Sequence, residues 1–139
     1  MIRKNNIIIS IEILILLLPV TFMLSGCNAI EPRIDLAEVT EIEILILESF
    51  PVQVQVVARG NLPNPCTGID QITQSRDENN FKITIKTKYN QEICIPLINP
   101  FEETIALDVY GLLAGTYNVN VNGIEDSFTL EIDNILQTI

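Results

Sequence analysis

Three cysteines, Cys27, Cys66 and Cys94, are the most reactive side chains in this chain of 139 residues. A thiol can be acylated, bridged, activated as a nucleophile or bound to a metal. Activation usually needs an imidazole, and the chain contains no His. That absence removes the common general base, the commonest zinc ligand and the ordinary pH switch together. Outside the N-terminal segment the serines are Ser49, Ser75 and Ser127, none of them in a Gly-x-Ser-x-Gly setting. The acid pairs Glu102-Glu103 and Glu125-Asp126 could cleave a glycosidic bond only if held about 5–10 Å apart across a cleft. Neighbours in a strand instead point to opposite faces. Asp77-Glu78-Asn79-Asn80 offers oxygen ligands but lacks the spaced acids, the turn Gly and the closing Glu of a calcium loop. The expectation is therefore a non-enzyme with no catalytic residue, no metal and no cofactor. A net charge of −10 also argues against nucleic acid as a partner.

The elements that would position these groups begin with a segment to set aside. Arg3 and Lys4 precede an apolar run from Ile7 to Leu18, broken by Ser10 and Glu12, and Leu24-Ser25-Gly26-Cys27 follows. Charge, apolar run and small residues in that order form an export signal. Leu-Ser-Gly-Cys resembles the lipobox of bacterial lipoproteins. The resemblance implies that residues 1–26 are a lipoprotein signal peptide, helical and removed. It makes Cys27 the first mature residue, acylated and anchored to the outer face of a bacterial membrane. The exported chain loses Arg3, Lys4 and Glu12, that is, two of the 8 basic and one of the 18 acidic residues, and its net charge becomes −11. Two thiols then remain in an oxidising compartment, so Cys66 and Cys94 read as a disulfide. Its closed loop is worth roughly 3 kcal/mol.

Residues 27–40 are polar, contain Pro32 and read as the lipidated N-terminus and a flexible tether. From Glu41 the pattern alternates with a period of two, the mark of half-buried strands. Strands are expected over 41–47, 52–59, 69–76, 81–88, 92–98, 104–110, 117–122 and 127–132. Between them lie a breaker-rich loop over 60–68 and the hairpin pair Asn122-Gly123. Seven or eight short strands in residues 41–133 predict an all-β antiparallel sandwich, with residues 134–139 as a C-terminal tail.

The run from Ile105 to Gly123 resembles the E–F corner of immunoglobulin-like domains. The resemblance implies an immunoglobulin-like fold in which Tyr117 is the corner tyrosine, its hydroxyl bonded back to the backbone. Val119 stands where antibody domains carry a Cys. The stretches 48–54, 62–67 and 100–104 resemble uncharacterised bacterial lipoproteins of this architecture, a likeness that implies location and fold. Asn64-Pro65-Cys66-Thr67-Gly68 resembles the first binding loop of chagasin-type inhibitors of papain-like proteases, with Cys66 in place of a Thr. Asn64, Pro65, Thr67 and Gly68 are thus the candidate partner-binding loop. The functional expectation is a monomeric, lipid-anchored binding or structural domain for an unidentified protein or other envelope ligand. Protease inhibition through residues 64–68 is the alternative.

Overall fold

The computed structural model describes residues 34–90 and 93–136, all within one compact unit that spans Pro32–Ile139. The expected signal peptide, Cys27 and the tether up to residue 33 lie outside the described residues.

Period-two patterning builds eight strands: β1 Ile34–Leu36, β2 Glu38–Leu47, β3 Gln53–Leu62, β4 Thr67–Asp77, β5 Asn80–Tyr89, β6 Asn99–Ala106, β7 Gly115–Val121 and β8 Ile124–Leu130. They form two sheets, as expected of a sandwich. One has the order β2-β3-β6. The other centres on β5, with β4 along one edge. The opposite edge of β5 is shared. Its first half, Asn80 to Ile83, pairs with β7, and Lys86 to Lys88 pair with β1. β8 closes that side against β7.

The alternating side chains meet between the sheets. Val54, Val56 and Ala58 of β3 are buried with Phe81, Ile83 and Ile85 of β5, and with Val119, Val121, Phe128 and Leu130 of β7 and β8. Close packing of such branched side chains is the main source of stability in a domain of this size. At the start of β7 three rings cluster. Tyr117 stacks on Phe128 with centroids 5.5 Å apart, and Phe81 lies 6.2 Å from Tyr117 in an edge arrangement.

Several expectations are corrected. The β5–β7 pairing is parallel, whereas every other pairing among the described strands is antiparallel. The expected tether gives way at Ile34, because β1 and the start of β2 already pair with β5 and β3. Residues 93–98 form no strand, and Ile93, Ile95, Leu97 and Ile98 are exposed. This segment carries the chain from β5 in one sheet to β6 in the other, so it runs beside no strand. The strand instead starts at Asn99 and continues through Pro100, which lies on the outer edge strand β6 and faces Asn61 of β3. A missing N–H does no harm on that edge. Its far end comes early, at Ala106, although Leu107 and Val109 stay buried.

Gly60, expected to open a loop, lies inside β3 opposite Phe101 and Val39. A methyl group there would collide with the Glu38 carbonyl oxygen and crowd the Phe101 ring. β2 crosses so closely that only hydrogen fits. The tail is also firmer than expected at its first residue. Asn134 is fully buried, and its side chain is hydrogen-bonded to Val52 and Val109.

Candidate functional site

The loop between β3 and β4 is built from turn formers, and its polar groups close on themselves. Asn64 Oδ1 accepts hydrogen bonds from the Cys66 backbone N–H at 3.0 Å and from Thr67 Oγ1 at 3.0 Å. An Asn side chain that caps the backbone two residues on is a common turn device. Cys66 is bonded to Cys94, with Cα atoms 6.0 Å apart. The Asn90 N–H donates to the Cys66 carbonyl at 3.0 Å, so the loop is tied both to the end of β5 and to the segment beyond it. The expected disulfide is present, and it joins this loop to the segment that crosses between the sheets. Of the four loop candidates, Pro65 is exposed, Asn64 and Gly68 are half-buried, and Thr67 is buried.

Beside the loop, Asp35, Leu36, Pro63, Thr87 and Tyr89 complete a cleft of about 330 Å³. Thr87 Oγ1 donates to the Asp35 carbonyl across its floor at 3.0 Å.

Tyr117 occupies the corner position. Its hydroxyl donates to the Leu113 carbonyl at 2.8 Å, and the ring is buried. The side chain holds the 107–114 turn onto β7 and touches no cleft at the Cys66 end.

A larger concavity, about 970 Å³, lies along β5, β7 and β8. Its walls carry amides: Asn118 Nδ2 donates to Asn80 Oδ1 at 3.1 Å, and Asn120 Nδ2 donates to Glu125 Oε1 at 2.8 Å. Lys82, Thr84 and Ser127 add a cation and two hydroxyls. A polar ligand here would exchange its own hydrogen bonds for those the amides make with Asn80, Glu125 and the Gly123 N–H. The signal in the sequence was the alternation of Asn118 and Asn120 on an outward face, which reads as solvation until β5 brings Asn80 alongside.

The groups considered for chemistry are dispersed or engaged. Glu102 accepts from Arg59 Nε at 2.7 Å, and Glu43 accepts from the same guanidinium at 3.0 Å. Hydrogen bonds to Glu102 and then Glu43 raise the Arg59 pKa above its already high value. The Asp126 carboxylate accepts from the Ser127 backbone N–H at 2.8 Å. The 77–80 stretch is a turn, with Glu78 at a φ of 51°. Among the described residues no group of three or more His, Cys, Asp or Glu is placed to hold a metal ion.

Known proteins place this chain by similarity. A protein of Herpetosiphon aurantiacus, described as an uncharacterized 10.2 kDa protein in the HgiCIIM 5' region, is 31% identical over 93 residues, covering 66% of this chain and 98% of that protein. Its counterpart in the HgiBIM 5' region of the same organism is 32% identical over 83 residues, covering 59% of this chain and all of the relative. No solved structure matches the chain. The model of the ORF11 beta-sandwich domain matches residues 56–130, from the middle of β3 to the end of β8, and the chain belongs to that family.

Proposed function

We propose that this protein is an exported, lipid-anchored, non-catalytic binding domain held on the outer face of a bacterial membrane. The observation that carries the reading is the Cys66–Cys94 bridge. It uses two of the three thiols and suits an oxidising compartment, which leaves only Cys27, the Cys of Leu24-Ser25-Gly26-Cys27. A diacylglyceryl group on that thiol, with or without an acyl group on the new N-terminus, supplies the two-chain hold that stable anchoring requires. The domain's ligand is an envelope molecule of polar chemistry, taken in the amide-lined groove along β5, β7 and β8. An acid-rich surface with no imidazole supports binding in place of catalysis.

Labelling with radioactive palmitate tests the anchor. Label should enter the native chain and not Cys27→Ala, and equal labelling of the two overturns the reading. Crosslinking from intact cells, compared between the native chain and Asn118→Ala with Asn120→Ala, tests the groove. An unchanged set of crosslinked partners removes it.

Protease inhibition remains the alternative, because the 64–68 loop lies at one end of the sandwich. Its geometry favours it less. Asn64 and Thr67 spend their side chains within the loop, and Cys66 is drawn into the bridge. Absence of inhibition of a papain-like protease at micromolar concentration disposes of it.

A further inference from the structure

The crossing segment from β5 to β6 is the most apolar exposed stretch among the described residues. Ile93 is 90% exposed, Ile95 75%, Leu97 62% and Ile98 68%. The run Ile93-Cys94-Ile95-Pro96-Leu97-Ile98 contains no charge. Single exposed apolar residues are ordinary, but four large ones within six positions mark a contact surface. The bridge to Cys66 pins this segment to the loop at that end of the sandwich.

The N-terminal chain arrives at the same end. Ile34 pairs with Lys88, and Lys88 also faces Gly68 on the other side of β5. Tyr89 follows directly and leads into the apolar segment. Ile34 lies seven positions after Cys27, a reach of at most about 25 Å when fully extended. An acyl anchor at Cys27 therefore holds this end, and not the opposite one, towards the bilayer.

From that juxtaposition we infer that residues 93–98 are the membrane-seated surface of the domain, lying on the bilayer that holds the acylated Cys27. The inference rests on the anchor reading above. Apolar side chains at an interface add their transfer free energy to that of the acyl chains. Tyr89, 42% exposed, stands at the border, where an amphipathic ring is favoured. The contact is apolar and not electrostatic, because acids outnumber bases at this end. Lys86 and Lys88 lie at this end with Asp35, Glu38 and Asp70, and Glu92 precedes the run in sequence. On the other sheet Arg59 lies three residues from the same end of β3 and draws Glu43 and Glu102 into ion pairs, whereas Glu125 of β8 sits further away, level with Lys82. A neutral bilayer is accordingly the right probe.

The chain has no Trp, so a single indole reports its own surroundings. The acylated full chain carrying Leu97→Trp, or separately Ile95→Trp, is reconstituted in phosphatidylcholine vesicles. Tyr110→Trp, 58% exposed and beyond the opposite end of β6, is the comparison. Indoles at 97 and 95 should emit to the blue of the same chain in detergent-free buffer and be quenched by brominated acyl chains. The indole at 110 should show neither effect. Water-like emission at both 95 and 97, in chains that still float with the vesicles, overturns the inference and leaves the anchor standing. A blue shift without quenching by brominated lipid also overturns it, and assigns the surface to a protein contact such as a second copy. A chain that carries no acyl group by mass overturns the anchor, and this inference with it.

Discussion

Replacing Asn134 should unfasten one end of the sandwich. Its Oδ1 accepts from the Val52 N–H at 2.7 Å, and its Nδ2 donates to the Val52 and Val109 carbonyls at 2.9 Å each. Its own backbone adds two bonds, donating to the Leu112 carbonyl and accepting from the Gly111 N–H. Asn134→Ala removes the three side-chain bonds and keeps the backbone pair. Each lost bond costs about 1 kcal/mol, and a buried partner left without one costs about 1–3 kcal/mol. Val52 is half-buried, so water recovers part of its loss, whereas Val109 is buried. The expected total is about 3 kcal/mol, or about 15 °C in Tm for a domain of this size. Urea unfolding should show the fall with an unchanged m-value, and the Val52 amide should lose its protection from hydrogen exchange. Asn134→Asp keeps the acceptor for Val52 but turns a carboxylate towards two carbonyl oxygens. Its carboxyl is therefore raised above the unfolded value of about 3.9. A raised acid binds its proton more tightly when folded, so its penalty relative to the native chain should shrink as pH falls through the raised value. A loss below about 0.5 kcal/mol for Asn134→Ala, or an unchanged Val52 exchange rate, refutes the reasoning.

Other substitutions probe single devices. Asn122 fills the gap between β7 and β1 along β5: its Oδ1 accepts from the Ile85 N–H at 3.0 Å, and its Nδ2 donates to the Ala37 and Ile85 carbonyls. Asn122→Asp keeps one bond of three and should cost about 2–3 kcal/mol by chemical denaturation, with faster amide exchange at Ala37. Gly60→Ala drives a methyl group into the Glu38 carbonyl, so β2 must shift; a loss of about 1–3 kcal/mol is expected by the same measurement. Tyr117→Phe keeps the ring stack and loses only the bond to Leu113; thermal unfolding should register about 1 kcal/mol.

The pattern of the chain carries most of this fold and less of its joints. Alternation over 81–88 and 117–122 sets which side chains of β5 and β7 are buried, and Phe81, Ile83, Ile85, Val119 and Val121 all obey it. Asn122-Gly123 forms the expected hairpin with φ values of 48° and 97°, as a type I′ turn needs. Two thiols without other partners specify their own pairing. Residues 93–98 misled because an apolar run between breakers has the same composition whether it is buried or merely displayed. Gly60 misled because a glycine marks both a loop and a close backbone crossing. The parallel pairing of β5 with β7 left no local trace, since registry between distant strands is decided by the packed core. The amide groove escaped for a related reason: Asn80 and Asn118 are neighbours only through that pairing.

Three asparagines do what strand pairing does elsewhere, and their places explain why the two ends of the molecule differ. Each presents an amide, the chemical group of the backbone itself, where the chain leaves the ladder. Asn122 continues β7 across to β1, Asn134 closes the 107–114 turn onto Val52, and Asn64 turns the loop that carries Cys66. At the Asn134 end the polar groups are gathered inward, while Phe50, Leu113, Ile132 and Leu136 are exposed around them. At the Cys66 end the bridge supplies the closure, and the apolar residues 93–98 are left facing out. A covalent tie holds that end whether its surroundings are wet or dry, whereas a lid of packed side chains would itself have covered the surface. The disulfide thus fastens the exposed apolar strap of residues 93–98 to the end of the sandwich at which β1 begins.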